Sequence, residues 1–183
     1  MRVIAGTAKA VRLGRVPAGV RPVSDRAREG LFSSLAGALS GASVLDLFAG
    51  SGSLGIEALS RGAARAVFVE RNPAAVRAIR DNLARTRLAD RAEIVTGDAL
   101  AYVANADPGG GRFDLVLADP PYAAPSSQVD ALLNGVAAGV LQAGGTMALT
   151  RRSGSSTTVI PVHLLVAKRL EYGDTAVLVF REA

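Results

Sequence analysis

The chain has no cysteine and a single histidine, His163. The first absence excludes disulfides and thiolate metal sites. The second makes a metal centre unexpected, and His163 reads as an ordinary side chain at a strand edge. No apolar run reaches the roughly 18 residues needed to cross a bilayer, so no membrane span is expected. The apolar stretch between Arg2 and Lys9 is too short for a signal peptide. Net charge is also missing from most of the chain: residues 41–183 hold 14 basic and 14 acidic residues. The formal +5 therefore lies wholly in residues 1–40, where Arg2, Lys9, Arg12, Arg15, Arg21, Arg26 and Arg28 face only Asp25 and Glu29. Charge segregated in this way is an electrostatic footprint for a polyanion.

What is present is enough for a core. With 183 residues and 49% hydrophobic content, one domain with a small appendage is expected. Its organising centre is Val44 to Gly55. Val44, Leu45, Leu47 and Phe48 form a short apolar run, the mark of a strand buried on both faces. Gly50, Gly52 and Gly55 follow at the spacing G-x-G-x-x-G, and Ile56, Ala58 and Leu59 begin a helix. Strand, glycine turn and helix make a cradle where a ligand can approach the backbone and meet free N–H groups. Asp46 sits inside the strand, where an acid is costly without a task. Glu70 ends the next apolar run, Ala66–Val69, which is the place for a carboxylate that grips ribose hydroxyls. An acid before the glycine turn suits a ligand with positive charge rather than a pyrophosphate. S-adenosylmethionine, with its sulfonium and ammonium groups, is such a ligand.

Residues 1–22 read as a small basic β element, with strand candidates at 3–6 and 11–13 around the turn Gly6–Lys9 and an exit punctuated by Pro17, Gly19 and Pro22. A hairpin this small is marginal alone, so it is expected to dock or to fold on RNA or protein. Ser24 or Asp25 caps a helix predicted to run to about Leu39, with Asp25–Arg28 and Arg26–Glu29 spaced to pair. This helix is either a plain packing element or, over Arg21–Glu29, a lid on the cofactor. From Val44 strands and helices alternate: strands at 44–48, 66–70, 92–95, 113–118 and 146–150, helices at 53–61, 73–85, 99–104 and 127–140. That alternation means a parallel sheet. The tail, 164–170 and 176–180 around Gly173-Asp174, adds an antiparallel edge.

The most specific signal is Asp119-Pro120-Pro121-Tyr122, where the fourth parallel strand ends. Two prolines stiffen the loop, Pro120 keeps a carbonyl acceptor, Asp119 brings a carboxylate and Tyr122 a flat ring. These suit an exocyclic amino group on a planar base. Such a nitrogen is a poor nucleophile because its lone pair is delocalised into the ring. Two acceptors on its N–H groups favour a more tetrahedral nitrogen aimed at a methyl donor, so positioning and oriented charge supply the acceleration. Tyr122 would stack on a base that is single-stranded or flipped out.

Asp46-Leu47-Phe48-Ala49-Gly50-Ser51-Gly52 together with Asp119-Pro120-Pro121-Tyr122 resembles the class I S-adenosylmethionine-dependent amino-methyltransferases. Arg2-Val3-Ile4-Ala5-Gly6-Thr7, Arg21-Pro22, Ser24-Asp25-Arg26, Arg28-Glu29 and Phe32 narrow the resemblance to the ribosomal small subunit methyltransferase D family. Val23 departs from the threonine expected there, which removes a hydroxyl. The resemblance implies an α/β, Rossmann-like fold with a mostly parallel seven-stranded sheet, an antiparallel C-terminal hairpin and an N-terminal β-hairpin extension. The implied division is an extension at 1–22 and a methyltransferase domain at 23–183. It also implies methylation of N2 of a guanine in 16S rRNA, guanine 966 in the family, within the 30S subunit or its assembly intermediate.

Position by position, the resemblance implies that Asp46, Phe48, Gly50, Ser51 and Gly52 hold the methionine end of the cofactor. Glu70 takes the ribose, with Arg71 and Asn72 beside the adenosine. Asp98 and the Ala99 amide face the adenine, and Asp119 borders both cofactor and base. Asp119, Pro120 and Tyr122 act on guanine, while Arg2, Lys9, Arg12, Arg15 and Arg21 hold rRNA phosphates. No metal, a cytoplasmic location and a monomer complete these expectations. The competing readings are a DNA adenine-N6 or cytosine-N4 methyltransferase, for which the chain lacks a sizeable recognition domain, and a non-catalytic RNA-binding assembly factor.

Overall fold

The centre of the molecule is a seven-stranded sheet. A computed structural model describes residues 1–14, 23–106, 113–155 and 159–182. In chain order the elements are α1 (Asp25–Ser34), β1 (Ser43–Leu47), α2 (Ser53–Ser60), β2 (Arg65–Glu70), α3 (Pro73–Thr86), β3 (Ala92–Thr96) and α4 (Ala99–Ala104). They continue with β4 (Phe113–Ala118), α5 (Ser126–Gly135), β5 (Leu141–Arg152), β6 (Leu164–Tyr172) and β7 (Thr175–Glu182). The strand order is β3-β2-β1-β4-β5-β7-β6. β1 pairs in parallel with both β2 and β4, and β7 enters antiparallel between β5 and β6. The order in which strands are laid down reverses at β1/β4, to β2 and β3 on one side and β4 and β5 on the other, which leaves a crevice beyond the carboxyl ends of those two parallel strands.

The period of two along each strand builds a core on each face. Val44, Ala66, Phe68, Leu115 and Leu117 point to one side, where α1, α2 and α3 pack. Leu45, Leu47, Val67, Val69 and Val116 point to the other, against α4 and α5. α3 begins as its sequence dictates: the Asn72 side chain accepts from the Ala74 amide at 2.9 Å, and Pro73 occupies the first turn.

α2 is buried at all eight positions, because residues 1–14 lie across the face that would otherwise meet solvent. The fully buried Glu57 carboxylate accepts from the amides of Ile4 at 2.8 Å and Ala5 at 3.1 Å, and from Arg61 Nε at 2.7 Å. Ser60 Oγ accepts from the Ala8 amide at 3.0 Å and donates to the Ala5 carbonyl. Gly6 has φ +84°, and a Cβ there would lie 1.8 Å from the Ser60 carbonyl oxygen, so no side chain fits. The fully buried Arg28 guanidinium donates to the Arg2 carbonyl at 2.8 Å and to Asp25 Oδ1 at 2.7 Å, and stands 3.9 Å from Glu57. Arg28 therefore belongs to the core and not to an outward basic face.

Four expectations are adjusted. The N-terminal β element pairs only around one antiparallel bridge, Arg2 with Arg12, because the amides of Ile4, Ala5 and Ala8 bond α2 side chains instead of extending the ladder. α1 stops at Ser34, and a 3₁₀ turn at Ala36–Ala38 around Gly37 replaces its expected last turn. α5 ends at Gly135 and widens into a π turn over Val136–Val140. β5 starts at Leu141 rather than Thr146, because Gly144 (φ +71°) and a register shift opposite Phe113/Leu115 absorb the irregular stretch. Pro17, Gly19 and Pro22 lie outside the described residues.

Removing the Glu57 carboxylate strands the Ile4 and Ala5 amides and leaves Arg28 without its buried counter-charge. Glu57→Ala is expected to lose about 3–5 kcal/mol in urea unfolding, the usual cost of breaking a buried ion pair from one side. A loss under 1 kcal/mol would show that the N-terminal segment is not anchored there.

Candidate active site

A cavity of about 440 Å³ opens beyond the carboxyl ends of β1, β2 and β4. Sheet register explains its lining. Asp46 stands opposite Leu117 of β4 and Phe68 of β2, and the Asp119 amide lies 3.4 Å from the Leu47 carbonyl. Asp46, Glu70 and Asp119 continue the rows of Val44, Phe68 and Leu117, so all three acids emerge on the same face of the sheet.

The turn after β1 is made by left-handed residues: Phe48 (φ 58°), Gly50 (φ 57°) and Gly52 (φ 77°). Phe48 adopts this conformation despite its side chain, at a cost of about 1–2 kcal/mol, which marks the loop as over-determined by its surroundings. Gly55 is required for a different reason: a Cβ there would meet the Phe68 ring at 2.3 Å and Asp46 Oδ2 at 3.0 Å. Its absence lets α2 sit on β2 and brings the Gly55 amide to 2.8 Å from Asp46 Oδ2. Glu70 spans the turn. Its Oε2 accepts from the Gly50 amide at 2.8 Å and its Oε1 from the Asn72 amide at 2.8 Å. Asp98 caps α4, accepting from Leu100 and Ala101 at 3.0 and 3.1 Å, and its second oxygen meets Arg71 at 3.3 Å. At the end of β4, Asp119 accepts from the Thr150 hydroxyl, and Tyr122 Oη lies 2.6 Å from Thr175 Oγ1.

The electrostatics centre on Asp46. It is 1% exposed, and its Oδ1 has no hydrogen-bond partner among the described residues. Burial pushes its carboxyl well above the usual carboxylate range; the Gly55 amide opposes this, and the charges of Asp119 and Glu70 add to it. A buried acceptor left unpartnered costs about 1–3 kcal/mol, more when charged. Three acids around one cavity, one with a vacant oxygen, fit a ligand that brings a cation and donors.

Asp46, Phe48, Gly50, Ser51, Glu70, Arg71, Asn72, Asp98, Ala99, Asp119, Pro120 and Tyr122 all line this cavity. Gly52 lies beneath it, packed toward Ile56 and Ile79, and shapes the turn. Arg2, Lys9 and Arg12 are exposed on the docked N-terminal segment and do not line the cavity; Arg15 and Arg21 lie outside the described residues. Val23 reaches the cavity wall, and Ala27, Leu31 and Phe32 pack α1 into the core. Two groups went unrecognised in the sequence. Ser53 and Leu54, at the start of α2, line the cavity simply because the helix N-terminus points there. Asn82 donates to the Ser51 carbonyl at 2.9 Å and accepts from the Gly14 amide at 2.7 Å, joining the glycine turn to the N-terminal segment. A polar residue on the apolar face of α3 was its one sequence signal.

The strand order, the switch point at β1/β4 and the antiparallel β7 define the S-adenosylmethionine-dependent methyltransferase fold. A family model described as Conserved hypothetical protein 95 matches residues 1–181. Ribosomal RNA small subunit methyltransferase D of Escherichia coli K12 is 43% identical over 104 residues, 57% of this chain and 50% of that protein. YlbH of Bacillus subtilis is 38% identical over 123 residues, 67% of each chain. The solved structure of the Escherichia coli protein yhhF superimposes with a TM-score of 0.85 at 31% identity, covering 100% of this chain and 97% of that one. The chain belongs to the ribosomal small subunit methyltransferase D family. Its sequence match spans half the length of the Escherichia coli relative.

The raised Asp46 carboxyl generates a test on the ligand-free protein. Because the folded form holds a proton that the unfolded form releases, unfolding free energy falls as pH rises from the ordinary value of 3.8 through the raised one. Asp46→Asn is expected to flatten this slope and to raise Tm at neutral pH by a few degrees, read by calorimetry across pH. A lower Tm for Asp46→Asn at neutral pH would contradict the assignment.

Proposed function

We propose that this protein transfers a methyl group from S-adenosylmethionine to the exocyclic N2 amino group of a guanine in 16S rRNA. The reading takes guanine 966 as the site, and the 30S subunit or its assembly intermediate as substrate. The observation that carries it is the meeting of the glycine turn with the 119–122 loop across one cavity, in a chain of this family.

The cofactor, when bound, supplies an electrophilic sulfonium methyl group. The residues present suit it. The unpartnered Asp46 Oδ1 and the backbone around Gly50 and Ser51 would receive its amino-acid end. Glu70, bonded to two amides, retains lone pairs for ribose hydroxyls. Asp98 with the Ala99 amide, beside Arg71 and Asn72, would border the adenine.

On the substrate side, the Asp119 carboxylate and the Pro120 carbonyl accept the two N–H groups of the exocyclic amine. This draws its lone pair out of conjugation and orients it. Tyr122 stacks on the ring plane, which requires an unpaired or flipped-out base. After transfer the nitrogen sheds one proton, to Asp119 or to water. Arg2, Lys9 and Arg12 face solvent on a segment bolted to α2, which suits phosphate contacts that fix the orientation of RNA.

Labelled methyl transfer to 30S particles or 16S rRNA lacking the mark, followed by nucleoside mapping, tests the proposal. N2-methylguanine at one position is the expected product; methyl only on adenine would remove the guanine assignment, and transfer only to DNA would favour the DNA alternative. Asp119→Ala is expected to lower kcat by at least about a hundredfold while cofactor Kd holds. Normal turnover in that variant would defeat the amino-group argument. Neutralising Lys9 and Arg12 together is expected to reduce the slope of log K against log salt by about 1–2, at roughly 0.7–0.9 per phosphate contact. An unchanged slope would place the RNA elsewhere.

A further inference from the structure

Two buried hydroxyls face the 119–122 loop from strands that the proposed chemistry leaves without a task. Thr150 on β5 is 1% exposed and Thr175 on β7 is 6% exposed. The pairing of Ala118 with Leu149 brings Asp119, the residue after β4, beside Thr150. Thr150 opposes Val177 and Thr175 opposes Arg152 across β5 and β7, so both threonines occupy the sheet face from which Asp119 emerges.

Neither hydroxyl is needed for packing. β5 is otherwise apolar here, with Met147, Ala148 and Leu149 all buried, and valine would fill the volume of Thr150. A buried hydroxyl costs roughly 1–3 kcal/mol unless it is bonded. The Thr150 hydroxyl donates to Asp119 Oδ1. Thr175 Oγ1 lies between Tyr122 Oη at 2.6 Å and Asp174 Oδ1 at 3.5 Å. The two hydroxyls of Thr175 and Tyr122 share one hydrogen bond in which either oxygen can be the donor.

We propose that Thr150 and Thr175 are positioning residues for the 119–122 loop: Thr150 sets the plane of the Asp119 carboxylate, and Thr175 tethers the Tyr122 ring by its hydroxyl. The proposal rests on the roles given to Asp119 and Tyr122 above. The physical need is specific. The terminal torsion of an aspartate is broad and roughly two-fold, so a carboxylate at a strand end turns unless a donor holds it. An acceptor that must meet an N–H within hydrogen-bond range loses about a hundredfold in rate for a displacement near 1 Å. For Tyr122 the stacking surface is the ring, which phenylalanine also has; the hydroxyl serves to fix the angle of that ring.

The test uses the full chain with unmethylated 30S particles. Thr150→Val is expected to lower kcat about 10- to 100-fold with cofactor Kd unchanged, and Thr150→Ser to restore it to within about threefold. Thr175→Val and Tyr122→Phe are each expected to lower kcat by about 3- to 10-fold, and the double variant no further than either alone, because they break one bond. Wild-type kcat in Thr150→Val, or equal losses in Thr150→Val and Thr150→Ser, overturns the role of Thr150. Multiplying losses in the Thr175→Val/Tyr122→Phe pair overturns that of Thr175. Should Thr150→Val not fold, Thr150→Ser decides: a large loss there overturns the proposal, and a rate near wild type supports it. Asp119→Ala separates the layers, since turnover in that variant sinks the functional reading itself, whereas an inactive Asp119→Ala beside a fully active Thr150→Val sinks only this inference.

Discussion

The Asp46 carboxylate sits in the middle strand of a parallel sheet with one oxygen bonded and the other not. Only 1% of Asp46 is exposed, because β1 packs between β2 and β4 and α2 closes the face above. The Gly55 amide supplies one donor, and only because a missing Cβ lets the helix approach. The remaining deficit is a property of the fold: a buried acceptor at the base of a cavity that Glu70 and Asp119 also border. Desolvation favours the neutral carboxyl, and a cation placed beside it in the low-dielectric surroundings would draw it back to the carboxylate and hold it there. That is the electrostatic signature of a site for a positively charged donor, and it distinguishes this glycine turn from one that cradles pyrophosphate.

The turn is held from three directions. Glu70 ties Gly50 to the start of α3, and Gly55 ties α2 to β1. Asn82 ties Ser51 to Gly14. The last of these links the cofactor-side loop to the segment that carries the exposed cations Arg2, Lys9 and Arg12. Glu57 and Ser60 fasten the same segment to α2, the helix whose N-terminus faces the cavity. Residues 1–14 therefore share one scaffold with the glycine turn. A polyanion resting on those cations would be registered against the cavity by rigid contacts rather than by a loose arm.

Local patterns in the chain carried most of the fold. Apolar runs marked β1, β2 and β4, and Asn72-Pro73 marked the start of α3, because strand burial and helix capping are written in adjacent residues. Three cavity-lining acids were legible for the same reason, since Asp46 interrupts an apolar strand, Glu70 ends one and Asp119 follows one, whereas the place of Asp98 came from the family resemblance. What could not be read was long-range. Glu57 and Ser60 lie on a helix whose own period gives no sign that a second segment covers it. Arg28 counted as surface charge until its burial against the Arg2 carbonyl and Asp25 appeared. The start of β5 at Leu141 depends on a glycine bulge against β4, a pairing that no local pattern encodes. Thr150 and Thr175 are 25 residues apart and acquire meaning only through register.

Register is also what makes the polar row at the carboxyl end of the sheet coherent. With a period of two, a side chain at a strand end faces one layer or the other, and a slip by one residue would send it to the opposite face. Thr96, Glu70, Asp119, Thr150 and Thr175 belong to five different strands, yet pairing places each on the side of α2 and α3 or in line with it. Each hydrophobic contact beneath them, Val44 beside Leu115 or beside Ala66, fixes that register more firmly than the polar groups could alone. The core thus determines which acids and hydroxyls meet, and the chemistry of the cavity inherits its geometry from apolar residues that never touch a ligand.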